Sequence, residues 1–197
     1  MLKSKIDKPY EKHDCKRICQ GDILIDFQLP IASTKSKNVK SETLFFPYLI
    51  VVSQDCDLDE HFKKLEELKD TKGILKLNQF LPNILVLPAF PSELAREGQH
   101  LKKIFNITKD RIGSDIWGRI IQNNDKRYHF LPAYQEFKIP SLLLDFKTYM
   151  TVAYEDLSLK VSTYYIGTIN ELFREKLSRR FCGYLSRIGL PELEDSK

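Results

Sequence analysis

The sequence predicts an α+β protein built on a small β-barrel or a strongly bent sheet, with inserted helices and a long C-terminal helix. Two observations lead to this fold class. Short apolar segments with the period of β-strands recur up to about residue 154. Polar segments with helical period interrupt these strands and follow the last of them. With 197 residues, of which 42% are hydrophobic, the chain can bury a sizeable core.

Three regions are expected along the chain. Residues 1–20 are basic and lack a clean period, which predicts a partly ordered N-terminal arm. Residues 21–166 are expected to form the barrel-like, β-rich domain with its helical insertions. Residues 167–197 are expected to form an amphipathic helix that packs on the same domain.

Three strands are predicted in the first half of the chain. In GDILIDF (residues 21–27), Ile23 and Phe27 belong to a set of alternating apolar positions, which is typical of a strand with one buried face. PYLIVVSQ (residues 47–54) is a continuous apolar run and therefore predicts a strand covered on both faces. NILVLPAF (residues 83–90) predicts the third strand.

A surface helix is predicted after the second strand, because the pattern changes period there. Apolar residues recur at helical spacing from Phe62 within a segment rich in Lys and Glu, and the helix is expected to end near Gly73. Asp57 and Glu60 have the spacing of a capping-box variant, so the helix is expected to begin at Asp57.

The middle of the chain predicts a short helix and a hairpin. PSELARE (residues 91–97) has helical composition, with a proline and a serine suited to a first turn. IWGRIIQ (residues 116–122) and RYHFLP (residues 127–132) are joined by NNDK and both hold strand-forming residues, so they predict a β-hairpin.

The last third predicts strands and then the longest helix. SLLLDFKTYMTVAY (residues 141–154) predicts one long strand or two short ones. Thr168 and Glu171 have capping-box spacing, which predicts that the C-terminal helix begins there. Gly189 and Pro191 are expected to end it.

Charge and cysteine content limit the classes of function only loosely. The net charge is +4, and basic residues are interspersed with nearly as many acidic ones, which is compatible with a nucleic-acid partner but does not establish one. Four cysteines in a chain of this length predict reduced thiols. The apolar runs are too short to span a membrane, and the Lys-rich start lacks the apolar segment of a signal peptide, so a cytoplasmic location without membrane contact is expected.

The densest group of reactive side chains follows the second strand, in SQDCDLDEH. If the protein is an enzyme, the candidate catalytic residues are Ser53, Asp55, Cys56 and Asp57. Strand ends commonly present ligand-facing residues, and a helix N-terminus can lower the pKa of a thiol such as Cys56. The alternative is that the segment from Asp57 simply begins a helix, whose first turn favours acidic residues.

Two groups of residues have spacing that resembles a metal site, but neither predicts one. The aspartates of this segment have the spacing of an EF-hand loop, but Glu60 stands where that loop needs glycine. Cys15, Cys19 and His13 have spacing that zinc could use, but no second pair completes four ligands. No cofactor is therefore expected.

Two basic groups are candidate nucleic-acid contacts. Arg127 and His129 alternate with Tyr128 on a predicted strand and could contact phosphate, although the pattern favours a solvated strand face. Arg179 and Arg180 lie on the C-terminal helix, where a nucleic-acid backbone could be bound. The alternative there is that the cations only complement the helix dipole.

The first three strands resemble the MazF/PemK family of bacterial toxins. These proteins are small SH3-like barrels that cleave RNA without a metal. The residues Gly21–Ile23 match the family's GDI strand, and Pro47 and Ser53 match parts of its second strand. The resemblance covers roughly residues 20–90 and implies an SH3-like barrel.

One departure from the family pattern concerns catalysis. The family places a catalytic arginine immediately before the proline, where this sequence has Phe46. A phenyl ring can neither stabilise a pentacoordinate phosphate nor transfer a proton. The resemblance therefore implies a barrel that is kept as a binding module or whose chemistry is rebuilt elsewhere.

Two hypotheses of function follow. In the first, a bacterial, cytoplasmic protein of MazF/PemK-like ancestry binds or processes RNA or DNA, within a toxin-antitoxin or phage-defence system; an enzyme of this kind would be a hydrolase. In the second, the protein is a non-catalytic adaptor or regulatory subunit that binds a protein partner through the barrel and the C-terminal helix. A homodimer is compatible with both.

Overall fold

The strands form one strongly curled antiparallel sheet, a half-barrel, in the computed structural model, which describes residues 8–33, 40–69 and 80–186. This sheet, with helices inserted and appended, confirms the predicted α+β class with a strongly bent sheet. The strands are β1 (Tyr10–Glu11), β2 (Asp22–Ser33), β3 (Lys40–Val51), β4 (Asn83–Pro91), β5 (Tyr128–Leu131), β6 (Leu142–Asp145), β7 (Met150–Ala153) and β8 (Tyr165–Ile169).

The strand order is β1-β8-β2-β3-β4-β6-β5, and β7 pairs with β4 beside β6. β4 therefore pairs with β3 on one side and shares its other side between β6 and β7. The two edges of the sheet approach each other, because the buried Tyr10 hydroxyl of β1 donates a hydrogen bond of 2.8 Å to the carbonyl of Pro132, just beyond β5. This bond links the two edges of the half-barrel.

Helices cover the sheet on both faces. Those within the described residues are α1 (Asp55–Lys69), α2 (Ser92–Arg96), α3 (Lys102–Phe105), α4 (Ser114–Ile121), α5 (Tyr154–Ser158), α6 (Val161–Tyr164) and α7 (Glu171–Leu185), together with single 3-10 turns at Gln135–Phe137 and Phe146–Thr148. None of these described helices combines the length and apolar character that crossing a bilayer requires.

Three apolar clusters fill the space between the sheet and the helices. One face of the sheet packs against Leu177 and Phe181 of α7. The opposite face packs against α1, α5 and α6, represented by Leu58 and Leu157. A third cluster joins α2 and α4 to the ends of β4 and β6, with Ile120 at its centre.

The long strands β2 and β3 exchange faces midway, which the sequence did not predict. Ile23 lies in the cluster beneath α7, whereas Phe27 lies in the opposite cluster, so the prediction that they share a face is wrong. Asp26, between them, has a φ of 52°, and this left-handed conformation reverses the alternation. The register places Asp26 opposite Pro47, which has no N–H to donate.

Other strand predictions are confirmed. The three strands of the first half are present as β2, β3 and β4, and the segment 141–154 forms two short strands rather than one. The predicted short helix after Pro91 is α2. The basic segment before β2 is anchored to the domain, because β1 pairs with β8 and Ile18 is fully buried.

The predicted hairpin of residues 116–132 is wrong in its first half. Residues 116–121 belong to the helix α4, and only the second half forms a strand, β5. The isoleucines there are strand formers, but Trp117 and Ile120 are one helical turn apart and both contact the third cluster. Asp115 in the first turn suits the helix N-terminus.

Two predicted helix starts are also wrong. α1 begins at Asp55 instead of Asp57, so Asp57 lies in the first turn rather than capping it. α7 is preceded by Asn170 as its cap, because Thr168 belongs to β8 and its hydroxyl bonds Asp22. The predicted helix ends at Gly73 and at Gly189 and Pro191 lie outside the described residues.

Replacing Gly98 by alanine should destabilise the protein. Gly98 has a φ of 71°, and an added Cβ would lie 1.9 Å from the carbonyl oxygen of Lys109. We expect the free energy of unfolding to fall by more than about 2 kcal/mol, measured by urea denaturation. Gly118→Ala is the control: it lies inside α4 with nothing near its Cβ position, so it should raise stability by up to about 1 kcal/mol. Equal effects of the two changes would contradict this structure of the loop.

Candidate functional site

The predicted catalytic residues Ser53 and Asp55 are engaged in separate structural contacts. The Ser53 hydroxyl accepts a hydrogen bond of 2.8 Å from the Leu85 N–H, which joins the end of β3 to β4. The Asp55 carboxylate accepts two hydrogen bonds from Arg17, at 3.1 and 2.9 Å, and one of 3.0 Å from the Gln20 N–H. These bonds attach the segment before β2 to the start of α1.

The pKa of Asp55 reflects these contacts. Burial acts to raise it, but the hydrogen bonds of Arg17 and of the Gln20 N–H outweigh burial and lower the pKa. Asp55 is thus a carboxylate held by a guanidinium, which is a poor general base because its proton affinity is reduced.

Cys56 and Asp57 lie beside each other at the exposed start of α1. The Cys56 thiol is 3.6 Å from both the Gln54 Oε1 and the Asp57 Oδ1. His61, the nearest imidazole along the chain, is buried, and its Nδ1 accepts a hydrogen bond of 3.2 Å from the Leu81 N–H. The structure therefore brings Cys56 together with oxygen acceptors, and the His61 imidazole serves the segment that leads into β4.

A second polar group lies at the start of β2, around the fully buried Asp22. Its Oδ1 accepts hydrogen bonds of 2.8 Å from the His13 Nε2 and the Thr168 hydroxyl, and its Oδ2 accepts one of 2.8 Å from the Cys19 N–H. The Nδ1 of His13 accepts from the Cys15 N–H at 3.1 Å. The sequence indicates Asp22 only as a strand residue, so its central position is visible only in the tertiary structure.

The chemistry of this group suits hydrogen bonding better than metal binding. His13, Cys19 and Asp22 offer ligand atoms within 4.8 Å of one another, the spacing that a metal needs. However, both Asp22 oxygens already accept hydrogen bonds, and the His13 Nε2 takes part in one of them. Burial and the charge of Asp22 raise the pKa of the Cys19 thiol to about 12. The hydrogen bond to Asp22 raises the pKa of His13.

Arg180 organises a third polar group, between α7 and the turn of residues 122–127. Its guanidinium donates to the carbonyls of Asn123 and Asp125, to the carbonyl of Tyr128 at 2.7 Å, and to the His129 Nδ1 at 3.1 Å. Asn123, at a φ of 59°, also exchanges two side-chain hydrogen bonds with the backbone of β5. The helix therefore holds the turn in one conformation.

The hydrogen bonds of Arg180 go to groups other than carboxylates, although the nearby Asp125 carboxylate acts to raise the pKa of Arg180. Three of its hydrogen-bond acceptors are backbone carbonyls, and the fourth is the His129 Nδ1. Burial and the charges of Arg180 and Lys176 lower the pKa of His129 to about 3, so this imidazole is uncharged at neutral pH. No ion pair among the described residues includes Arg180. Burial lowers the pKa of Arg180, but a guanidinium stays protonated at neutral pH.

Arg127, by contrast, is paired. Its guanidinium forms a two-pronged contact with the buried Asp145 carboxylate, with Nε 2.7 Å from Oδ1 and Nη2 in contact with Oδ2. The Lys109 ammonium and the Lys147 N–H each donate a further hydrogen bond of 3.1 Å to the Asp145 carboxylate. Burial acts to raise the pKa of Asp145, but Arg127, the Lys147 N–H and Lys109 together lower it.

An open cavity of about 330 Å³ lies beside Arg180. It is lined by Lys126, Arg180, Gly183 and Tyr184. Lys126 is exposed on the turn, and Lys176 and Arg179 are exposed on α7 next to it. Of the predicted nucleic-acid contacts, Arg180 lines this cavity and Arg179 is exposed beside it in the chain. Arg127 is bound to Asp145, and His129 is buried.

Lys126 was not among the residues predicted from the sequence. The turn NNDK is its signal in the sequence, but a turn by itself predicts only a connection between two elements. Comparison with known proteins adds no assignment to this geometry. No protein-family model matches the chain, and no curated protein matches it either.

Replacing Arg127 by methionine should destabilise the protein by about 3 kcal/mol, because it leaves the buried Asp145 carboxylate without its main partner. Urea denaturation measures the change. Lys109→Met is the matched control: Lys109 gives Asp145 a single bond, so the expected loss is smaller, about 1 kcal/mol. Equal losses would show that Arg127 is not the main counterion.

The stabilisation by Asp145 should depend on pH. Because its folded pKa is lowered, its contribution is present above the unfolded pKa of about 3.9 and is lost as the pH falls through the folded pKa. We expect the difference in unfolding free energy between the natural protein and Asp145→Asn to be constant at neutral pH and to shrink below about pH 4. A difference that grows on acidification would contradict the lowered pKa.

Proposed function

We propose that the protein binds nucleic acid, and that α7 and the turn of residues 122–127 contact its sugar-phosphate backbone. One observation carries this proposal. Arg180 lies in the wall of an open cavity, and its guanidinium donates to three carbonyls and an imidazole instead of to a carboxylate. Lys126 lines the same cavity, and the exposed Arg179 is the preceding residue on α7.

The geometry of Arg180 suits phosphate. A guanidinium has five N–H groups, and the four hydrogen bonds to the turn and to His129 use four of them. Within the described residues, one N–H of Nη1 has no acceptor and can bond a ligand. Because the other four bonds hold the group in place, little side-chain entropy is lost when an anion binds.

The cavity wall supplied by Tyr184 favours a single strand. Its ring packs against Phe146 at 5.6 Å, and the residue lines the cavity. Single-stranded nucleic acids are bound by aromatic rings that stack on bases next to a basic groove for the backbone. The proposed ligand is therefore single-stranded RNA or DNA.

A MazF/PemK-like ancestry is part of this proposal. It is supported by the segments that carry the resemblance, since they form three adjacent antiparallel strands, β2, β3 and β4. Phe46, at the family's arginine position, is fully buried in the core. This favours a barrel that binds nucleic acid over one that cleaves it with the family's residue. A role in a bacterial toxin-antitoxin or phage-defence system rests on the resemblance alone.

Replacing Lys126 and Arg179 together by glutamine should weaken binding to labelled single-stranded RNA or DNA by about tenfold or more. Removing two phosphate contacts should also reduce the slope of log affinity against log salt by about 1.4. Fluorescence anisotropy over a series of salt concentrations measures both quantities.

Lys102→Gln with Lys103→Gln is the matched control, because it removes the same charge from the exposed surface of α3. Its affinity should stay within about twofold of the natural protein. Equal losses in the two double variants would show that net charge, not this surface, determines binding. Absence of binding at low salt, with a protein that co-purifies, would favour the adaptor hypothesis instead.

The same samples test the predicted catalytic residues. Asp55→Asn and Cys56→Ala should leave nucleic-acid binding unchanged, since neither residue borders the cavity. Gels that follow the labelled strand report any cleavage. Cleavage that disappears in Cys56→Ala without loss of binding would place a catalytic centre at the start of α1.

A further inference from the structure

One side of α7 leads away from the open cavity toward the start of the helix. We call it the α7 stripe; it consists of Lys176, Arg180, Gly183 and Tyr184. Residues separated by three or four positions lie on the same side of a helix, so these four follow one another along α7. The last three line the cavity, and Lys176 lies one turn before them. The α7 stripe therefore extends the cavity along the helix.

Lys176 faces the same part of the domain as Arg180. The His129 imidazole of β5 accepts a hydrogen bond from Arg180, and the charges of both cations lower the pKa of His129. Lys176 is exposed, and none of the ion pairs in the described part of the chain includes it. Its ammonium is thus a second cation near the cavity that can bind an anionic ligand.

Gly183 leaves the backbone of α7 bare at the cavity. It is exposed, and a Cβ added there would meet no other segment of the described chain within 4 Å. Glycine is a poor residue for a helix interior. Neither a left-handed φ nor a close neighbour requires it at this position. The space that the missing side chain leaves lies beside Tyr184 in the cavity wall.

We infer, building on the proposed function, that the single strand runs along the α7 stripe. One phosphate accepts the N–H of Arg180 that has no acceptor among the described residues, and the neighbouring phosphate binds Lys176. The two cations are four residues apart, about 6 Å along the helix axis, a separation that neighbouring phosphates of an extended strand can span. The nucleotide in the cavity packs over Gly183 with its base on the Tyr184 ring. Gly183 and Lys176 are thus further binding residues of the site.

Gly183→Gln tests the assignment, because its effects on stability and on binding have opposite signs. Glutamine is a better helix former than glycine, so the midpoint of urea denaturation should rise. Its side chain occupies the space beside Tyr184, so the affinity for labelled single-stranded RNA or DNA should fall by about tenfold or more. A glycine with only a structural role in α7 would not separate the two quantities.

Gly118→Gln is the matched control. Gly118 lies inside α4, its Cβ position is equally open, and it does not line this cavity. The change should raise the denaturation midpoint in the same way and leave nucleic-acid affinity unchanged. Equal losses of affinity in the two glutamine variants would overturn the assignment of Gly183.

Lys176→Gln tests the direction of the strand. Removal of one phosphate contact should weaken binding and reduce the slope of log affinity against log salt by about 0.7. Lys103→Gln removes the same charge from the exposed surface of α3 and should leave the slope unchanged. If Gly183→Gln fails to fold, the slope of Lys176→Gln still decides: an unchanged slope overturns the inference.

The outcomes separate this inference from the proposed function. If the natural protein binds no labelled strand at low salt, both fail. If it binds, and Lys126→Gln with Arg179→Gln weakens it while Gly183→Gln and Lys176→Gln do not, only the path along the α7 stripe is wrong. Binding of a polyglutamate peptide, without binding of either nucleic acid, would overturn both and assign the stripe to an acidic protein partner.

Discussion

The buried carboxylate of Asp22 is the interaction on which the rest of the fold depends. Its two oxygens accept hydrogen bonds from His13 and Cys19 of the N-terminal segment and from Thr168 of β8. A fully buried carboxylate is costly unless it is bonded in this way. Asp22 therefore joins three segments that are distant in the chain: the basic N-terminal segment, the start of β2, and β8.

This anchor determines where α7 lies, because β8 leads directly into it. Arg174 of α7 donates to the Gln20 carbonyl, two residues before Asp22, and so continues the same attachment. Further along the helix, Arg180 donates hydrogen bonds to the carbonyls of Asp125, in the turn before β5, and of Tyr128. The basic surface proposed to bind nucleic acid is thus a consequence of strand pairing at the other end of α7, and its rigidity comes from bonds that link distant segments.

The two faces of the sheet have different chemistry. Beside α7 lies a polar, basic cavity, in whose wall backbone carbonyls hold the Arg180 guanidinium. On the opposite face, α2 and α3 cover the sheet incompletely and leave an apolar cavity beside His100. The exchange of faces at Asp26 and Pro47 contributes to this second cavity, since Pro47 and the exposed Phe45 form part of its wall.

The spacing of apolar residues determines most strands and helices of this protein, whereas long-range contacts decide which polar side chains meet. Strands β2, β3 and β4 and the apolar face of α7 follow from the spacing of apolar residues, because burial of one face requires that period. The isoleucines of α4 wrongly predict a strand, because packing of Ile120 into the third cluster outweighs their strand propensity. The partner of Arg180 lies 51 residues away at His129, and Arg127 meets Asp145 across neighbouring strands. Which cation is neutralised and which remains available for a ligand is set by these long-range contacts, and sequence spacing alone cannot specify them.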